Sequence, residues 1–193
     1  MELESDFVPD NDLISKALSG DSAAFGCLFV RYKDEIFQLY LQKTGNNVPD
    51  ANDMMQETFI RIFLNLHKFD SEYTFRQWIY TIARNIFIDH TRRKKDFIVS
   101  LEGPENYRTE LNPPSENLTP EQEMINNQTQ FKIDSLLETM PEKYKEMIRL
   151  RFINEYSYEE ISVKLSIPIG TVKTQIHRAR EIFYRLICEN GIR

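Results

Sequence analysis

Residues 156–187 read YSYEEISVKLSIPIGTVKTQIHRAREIFYRLI, and this stretch predicts two helices around a tight turn. Ser157 followed by Glu160 has the pattern of a capping box at the start of the first helix, which should end near Ser166. Pro168 cannot continue that helix but suits the first turn of the next one. The stretch therefore has the pattern of a helix-turn-helix whose second helix lies in a DNA groove.

The predicted second helix has one apolar and one polar face. Its apolar residues recur at helical spacing and predict a single packing stripe. They are Val172, Ile176, Ala179, Phe183 and Leu186. The opposite face carries polar groups in the first two turns, where a recognition helix meets base edges and phosphates. They are Thr171, Lys173, Thr174, His177 and Arg178.

The alternative is a helical hairpin whose basic face is merely solvated. Against it stands the clustering of four basic residues in a chain that is otherwise acidic. They are Lys173, Arg178, Arg180 and Arg185.

The charge is distributed in blocks, although the formal net charge is −6. Residues 71–95 carry six basic and two acidic groups, a net +4, and residues 171–193 carry five and two, a net +3. Residues 96–130 carry one basic and seven acidic groups, a net −6. We expect the two basic islands to meet phosphate and the acidic blocks to repel it, so the isolated chain should bind DNA poorly.

The composition is that of an ordinary globular protein. The chain has 193 residues, of which 41 % are hydrophobic, which predicts two small cores rather than one large one. No apolar run reaches membrane-spanning length, and the acidic start MELESDFVPD lacks the features of a secretion signal. Cys27 and Cys188 are too few for a disulfide framework, which fits a reducing cytoplasm.

Little in the chain points to catalysis. His67, His90 and His177 lack the close His/Cys pairs of a zinc site. The sequence also lacks a Gly-rich phosphate loop and a nucleophile elbow. We therefore expect no enzyme, no metal, no cofactor and no small-molecule substrate.

The chain should be all-α, with two small helical domains joined by a flexible acidic linker. Residues 96–123 contain four prolines and seven acidic residues with few apolar ones, the composition of an extended, mobile segment. The domains should therefore span residues 1–95 and 124–193. In the first, periodicity predicts helices near residues 10–18, after Asp21, and over residues 50–67 and 74–93.

One face of the predicted helix at residues 50–67 mixes acidic and aliphatic side chains. It consists of Asp53, Glu57, Ile60 and Leu64. Such a surface has no obvious reason to be bare in a monomer, so it predicts a docking face for a protein partner. The alternative is a helix that its own domain covers on both sides.

The predicted helix at residues 74–93 has aromatic and basic groups on its outer side. They are Arg76, Gln77, Tyr80, Arg84, Asn85 and Phe87, and the helix runs out into the basic residues 92–95. Cations at a helix C-terminus favour the macrodipole, which explains the last four without a ligand. Aromatic faces beside guanidinium groups are surfaces on which single-stranded bases stack, so we predict a reader of melted DNA.

These blocks together resemble the bacterial RNA polymerase sigma factors of the extracytoplasmic-function (ECF) group. The resemblance is carried in order by DSAAFGCLFVRYKDEIF (residues 21–37), DANDMMQETFIRIFLNLHKFD (50–70), TFRQWIYTIARNIFIDHTRRKK (74–95), and LETMPEKYKEMIRLRFINEYSYEEIS (137–162) with IGTVKTQIHRARE (169–181). It implies a transcription initiation factor whose partners are core RNA polymerase, promoter DNA and an anti-sigma factor.

The resemblance also implies a role for three sets of residues. The polymerase-binding residues would be Asp53, Gln56, Glu57, Ile60 and Leu64. The minus-10 residues would be Arg76, Tyr80, Arg84, Asn85, Asp89 and Arg92. The minus-35 residues would be Thr171, Lys173, Thr174, His177 and Arg178. Two other classes stay open on the residues alone: a stand-alone helix-turn-helix regulator, and an interaction module that does not read DNA.

Overall fold

The computed structural model describes residues 8–98 and 133–191, and every regular element within those ranges is helical. The helices are α1 (Asp10–Ser19), α2 (Ser22–Lys43), α3 (Val48–Asn65), α4 (Phe75–Ile98), α5 (helical residues 133–138), α6 (Glu142–Ile148), α7 (Tyr158–Leu165) and α8 (Ile169–Gly191). A 3₁₀ turn, Leu66–Lys68, follows α3, and a π turn, Arg149–Ile153, follows α6. The all-α prediction is confirmed. Most of the predicted linker, residues 99–123, lies outside the described residues.

Capping residues set the helix ends in the N-terminal half. Asp21 accepts hydrogen bonds from the backbone N–H groups of Ala23 and Ala24 and so begins α2, as predicted. Asn47 caps α3 in the same way, so this helix begins two residues before its predicted start. The predicted end of α4 at residue 93 is wrong, because the helix continues into the predicted linker as far as Ile98.

The N-terminal half is built around a buried polar contact among three helices. The side chain of Tyr40 on α2 is fully buried. Its hydroxyl donates to the Ala83 carbonyl on α4 at 2.9 Å and lies 2.6 Å from the Thr58 hydroxyl on α3. Apolar contacts surround it, among them the edge-to-face pair of Phe29 and Phe59 at 4.6 Å. One hydroxyl thus fixes the relative position of α2, α3 and α4.

The C-terminal half contains the predicted helix-turn-helix. Ser157 and Glu160 form both hydrogen bonds of a capping box at the start of α7. Ser166 takes a left-handed conformation with φ of 54° and ends that helix, as expected. The predicted stripe of α8 is buried from Val172 to Phe183, but Leu186 is only half-buried and Ile187 takes its place.

The two halves pack against each other, which the sequence did not predict. Helix α8 lies against α2 and α3. The rings of Phe29 and Tyr184 are 5.6 Å apart, and those of Phe63 and Phe183 are 6.1 Å apart. Buried residues of both halves form one continuous cluster. The two predicted helical domains are present, but their cores are joined, so the expectation that the cores are separate is wrong.

Replacing Tyr40 by phenylalanine should lower the free energy of unfolding by about 1–3 kcal/mol, because the Ala83 carbonyl and the Thr58 hydroxyl lose a buried partner. Urea denaturation followed by circular dichroism measures this change. Tyr73→Phe is the control, since Tyr73 is 59 % exposed and should change stability by less than about 0.5 kcal/mol. Equal midpoints for the two variants would contradict the role given to the Tyr40 hydroxyl.

Candidate protein-docking and nucleic-acid surfaces

The polymerase-binding residues are less accessible than the sequence suggested. Ile60 is fully buried and Leu64 is 7 % exposed. Glu57 is also buried, while Asp53 and Gln56 are half-buried. The expectation of a bare acidic and aliphatic face is wrong for this arrangement, in which other helices of the same chain cover it.

Asp53 lies at the contact between α3 and α8. Its Oδ1 atom is 2.5 Å from Nη2 of Arg180 and 3.6 Å from Nε2 of His177. The Arg180 contact is an ion pair without the geometry of a hydrogen bond. Arg180, which the sequence grouped with the DNA-facing cations, is only 7 % exposed. That expectation is wrong because this arginine points at α3.

Glu57 forms an ion pair with Arg61 one turn later on α3. Nη2 and Nε of Arg61 donate to Glu57 Oε1 at 3.0 and 3.3 Å. Burial acts to lower the pKa of Arg61, but the charge and hydrogen bonds of Glu57 outweigh it and hold the pKa above its usual value. The Arg61 guanidinium therefore stays charged, and the pair places opposite charges side by side on a largely covered part of the helix.

Two minus-10 residues, Arg76 and Tyr80, are held by a carboxylate on another helix. Nε of Arg76 donates to Oε1 of Glu35 on α2 at 2.8 Å. The Tyr80 hydroxyl donates to the same Glu35 oxygen. Partial burial acts to raise the pKa of Glu35, but the hydrogen bonds from Tyr80 and Arg76 outweigh it and keep the pKa below its usual value. At neutral pH, Glu35 is therefore an anion seated where a phosphate could bind.

The other minus-10 residues continue along the outer side of α4. Arg84 is exposed and Asn85 is half-buried. Asp89 and Arg92 form an ion pair at 3.6 Å. Phe87 is half-buried, with the Lys43 ammonium 5.1 Å from its ring centroid. The face is basic and aromatic as predicted, although its rings are less exposed than expected.

The minus-35 residues lie at the start of α8. All five are exposed: Thr171, Lys173, Thr174, His177 and Arg178. The Thr174 hydroxyl donates to the Gly170 carbonyl at 3.0 Å within the helix. Hydrogen bonds with Lys143 and with Arg178 lower the pKa of Tyr144, which places Arg178 beside the start of α6. His177 differs from the rest of the set because it lies between Asp53 and Glu181.

Residues 8–98 and 133–191 hold neither a candidate metal cluster nor a candidate membrane span. Among them, no cluster of three or more His, Cys, Asp or Glu side chains could hold a metal ion. The helices of these ranges include none that is both long enough and apolar enough to span a bilayer.

Family models match both halves of the chain. The model for Sigma-70 region 2 matches residues 28–97, and the model for Sigma-70, region 4 matches residues 130–182. The ECF RNA polymerase sigma factor SigW of Bacillus subtilis is 38 % identical over 171 residues, which cover 87 % of this chain and 91 % of the relative. The ECF sigma-E factor of Haemophilus influenzae is 31 % identical over 177 residues, 90 % and 92 % of the two chains.

The chain belongs to the ECF group of RNA polymerase sigma factors. As a sigma factor it directs core RNA polymerase to promoters and promotes initiation of transcription. Solved structures of similar chains include CnrH with the cytosolic domain of CnrY (24 % identity, 92 % of this chain and 96 % of the other, TM-score 0.39) and the RsbN–BldN complex (22 %, 91 % and 99 %, TM-score 0.37).

Sequence reasoning missed two contacts of this sigma factor. Glu35 lies 41 and 45 residues from its partners Arg76 and Tyr80, and Asp53 is far along the chain from Arg180. The net charge of each block of sequence shows whether its side chains are mainly acidic or basic, but it does not show which acidic residue pairs with which basic one. The available signal was the acidic balance of residues 1–70, six basic against twelve acidic groups, beside the basic block of α4.

Replacing Glu35 by glutamine should increase affinity for a labelled single-stranded oligonucleotide about two- to five-fold at low salt, because Arg76 loses its carboxylate partner and can contact phosphate. Fluorescence anisotropy against salt concentration measures this. Lowering the pH through the depressed pKa of Glu35 should release Arg76 in the same way. The control is Asp34→Asn, which removes one negative charge from an exposed neighbouring position. An equal gain in affinity in that variant would mean that the effect comes from the net charge alone and not from the release of Arg76.

Proposed function

We propose that this sigma factor divides its work among three surfaces. Core RNA polymerase binds α3 through the polymerase-binding residues, the minus-10 element binds the outer side of α4, and the minus-35 element binds the start of α8. Residues 1–95 carry the first two surfaces, residues 124–193 carry the third, and residues 96–123 join them. This sigma factor works in the cytoplasm, where core polymerase is.

The start of α8 carries the proposal for the minus-35 element. Lys173 and Arg178 are exposed in the first turns of the second helix of a helix-turn-helix, beside the hydroxyls of Thr171 and Thr174. That is the part of such a motif that enters the major groove. Lysine and arginine there can pair with guanine O6 and N7 or with phosphate, and the threonine hydroxyls can add hydrogen bonds.

The outer side of α4 supports the minus-10 assignment. Arg76 and Arg84 are exposed cations on a helix that also presents parts of Tyr80 and Phe87. Once strands separate, unpaired bases can stack on such rings while the guanidinium groups contact the backbone. Duplex DNA cannot offer its base faces in this way, so the surface favours the melted state.

The proposed mechanism involves no catalysis by the sigma factor. Binding at the two promoter elements holds polymerase at the start site, and contacts made only with separated strands favour melting, while polymerase carries out nucleotide addition. We expect an anti-sigma factor to regulate the protein, as the family membership suggests. No metal, cofactor or small-molecule substrate enters this mechanism.

Run-off transcription with core enzyme and a library of genomic promoters tests the minus-35 surface. Replacing both Lys173 and Arg178 by alanine should reduce transcript yield at least about ten-fold, since each lost contact costs about 1–3 kcal/mol. The slope of log affinity against log salt should fall by about 2 if both groups contact phosphate. Lys16→Ala with Lys68→Ala removes two exposed charges from the other half and should leave the yield unchanged.

If the Lys173 and Arg178 double variant gives an unchanged transcript yield, the proposal that α8 binds the minus-35 element is wrong. The chain would then act through polymerase and the minus-10 element alone. Discrete transcripts that form with the sigma factor, but not with core enzyme alone, are the expected result for the wild-type protein.

A further inference from the structure

The contact between α8 and α3 involves residues assigned to two different partners. Asp53 belongs to the polymerase-binding residues, and His177 belongs to the minus-35 residues. The two side chains approach to 3.6 Å, and Arg180 of α8 approaches Asp53 to 2.5 Å. Asp53 therefore faces α8 rather than an open surface.

The covered part of α3 is a stripe at helical spacing, which we name the α3 interface stripe. It consists of Asp53, Gln56, Ile60 and Phe63. Side chains of α8 contact both ends of the stripe, Arg180 at Asp53 and Phe183 at Phe63. Between the two ends, Ile60 is fully buried and Gln56 has a buried side-chain oxygen. Helix α8 thus overlies the stripe along about three turns of α3.

We infer that this packing is an autoinhibited arrangement, in which α8 occupies the α3 interface stripe and must leave it before core polymerase can bind there. The inference rests on the proposed function of α3. Its physical basis is exclusion. A polymerase surface cannot reach Ile60 while that side chain is fully buried, and the carboxylate of Asp53 cannot serve both as the partner of Arg180 and as the partner of a polymerase cation.

The chemistry of the contact favours a reversible association. Gln56 Oε1 and the Nε atom of Arg180 are buried without a hydrogen bond. Such atoms regain hydrogen bonds when water or a better-matched partner reaches them, so they favour opening. The ion pair of Arg180 with Asp53 and the aromatic contacts of Phe29 with Tyr184 and of Phe63 with Phe183 favour closure. Opposing contributions of this kind permit a two-state element.

The covalent connection allows the halves to separate. Residues 99–132 join α4 to α5, and a segment of that length can span up to about 110 Å. Opening therefore needs no change within either helical half. The contact between His177 and Asp53 ends in the same movement.

Arg180→Glu tests the inference in the full chain. The variant places a carboxylate against Asp53 and should open the contact, because like charges replace an ion pair. Small-angle scattering should show an increase in radius of gyration of about 2 Å or more. Surface plasmon resonance on immobilised core RNA polymerase should show an apparent affinity at least about five-fold tighter, since the competent fraction rises.

Two further variants separate opening from other effects. Arg185→Glu makes the same charge change at an exposed position of α8 and should alter neither the radius nor the affinity. Tyr184→Ala removes the ring contact with Phe29 without a change in charge and should shift both quantities in the direction of Arg180→Glu. Circular dichroism of each variant reports whether the helices are intact.

If both Arg180→Glu and Tyr184→Ala keep the radius of gyration of the wild-type protein, the closed arrangement is wrong. An increased radius with unchanged polymerase affinity would overturn the masking of α3 while leaving the proposed function intact. Absence of polymerase binding in every variant, the wild type included, would instead overturn the proposed function of α3, and the masking with it.

Discussion

Helix α8 presents three different surfaces around its circumference: one toward the C-terminal half, one toward α2 and α3, and one that is exposed. Val172 and Ile176 lie on the side that packs into the C-terminal half. About a quarter turn away, Arg180 and Tyr184 face α3 and α2. The remaining arc carries Arg178 and the other exposed polar groups. Because a helix advances 3.6 residues per turn, each surface receives only one or two side chains per turn, and a residue cannot move from one surface to another without leaving its partner.

Acidic groups of the chain lie against its basic groups in several places. Glu35 holds Arg76, Asp53 holds Arg180, and Asp89 and Arg92 pair along α4. Each pairing reduces the positive potential that a phosphate backbone would meet. A chain of net charge −6 thus carries basic side chains that are partly neutralised by its own carboxylates. The salt dependence of DNA binding should reflect the exchange of these carboxylates for phosphates.

Local sequence signals predicted the elements of the fold well. The capping box at Ser157, the cap at Asp21 and the apolar stripe of α8 depend on residues within a few positions of one another, and all three are present. The four-block pattern also predicted the family. The burial of Ile60 and of Arg180 could not be predicted in this way, because it depends on helices that are distant in sequence. Periodicity says that a face exists and leaves open what covers it.

The Tyr40 hydroxyl has a consequence for the order in which structure forms. Its partners Thr58 and Ala83 lie on two other helices. If only α2 and α3 are assembled, the hydrogen bond to Ala83 is missing. If only α2 and α4 are assembled, the hydrogen bond with Thr58 is missing. A partly assembled intermediate would hold a desolvated phenol with a missing partner, and its population should be small. The N-terminal half should therefore fold and unfold as one cooperative unit, without a populated state in which only two of the three helices are assembled.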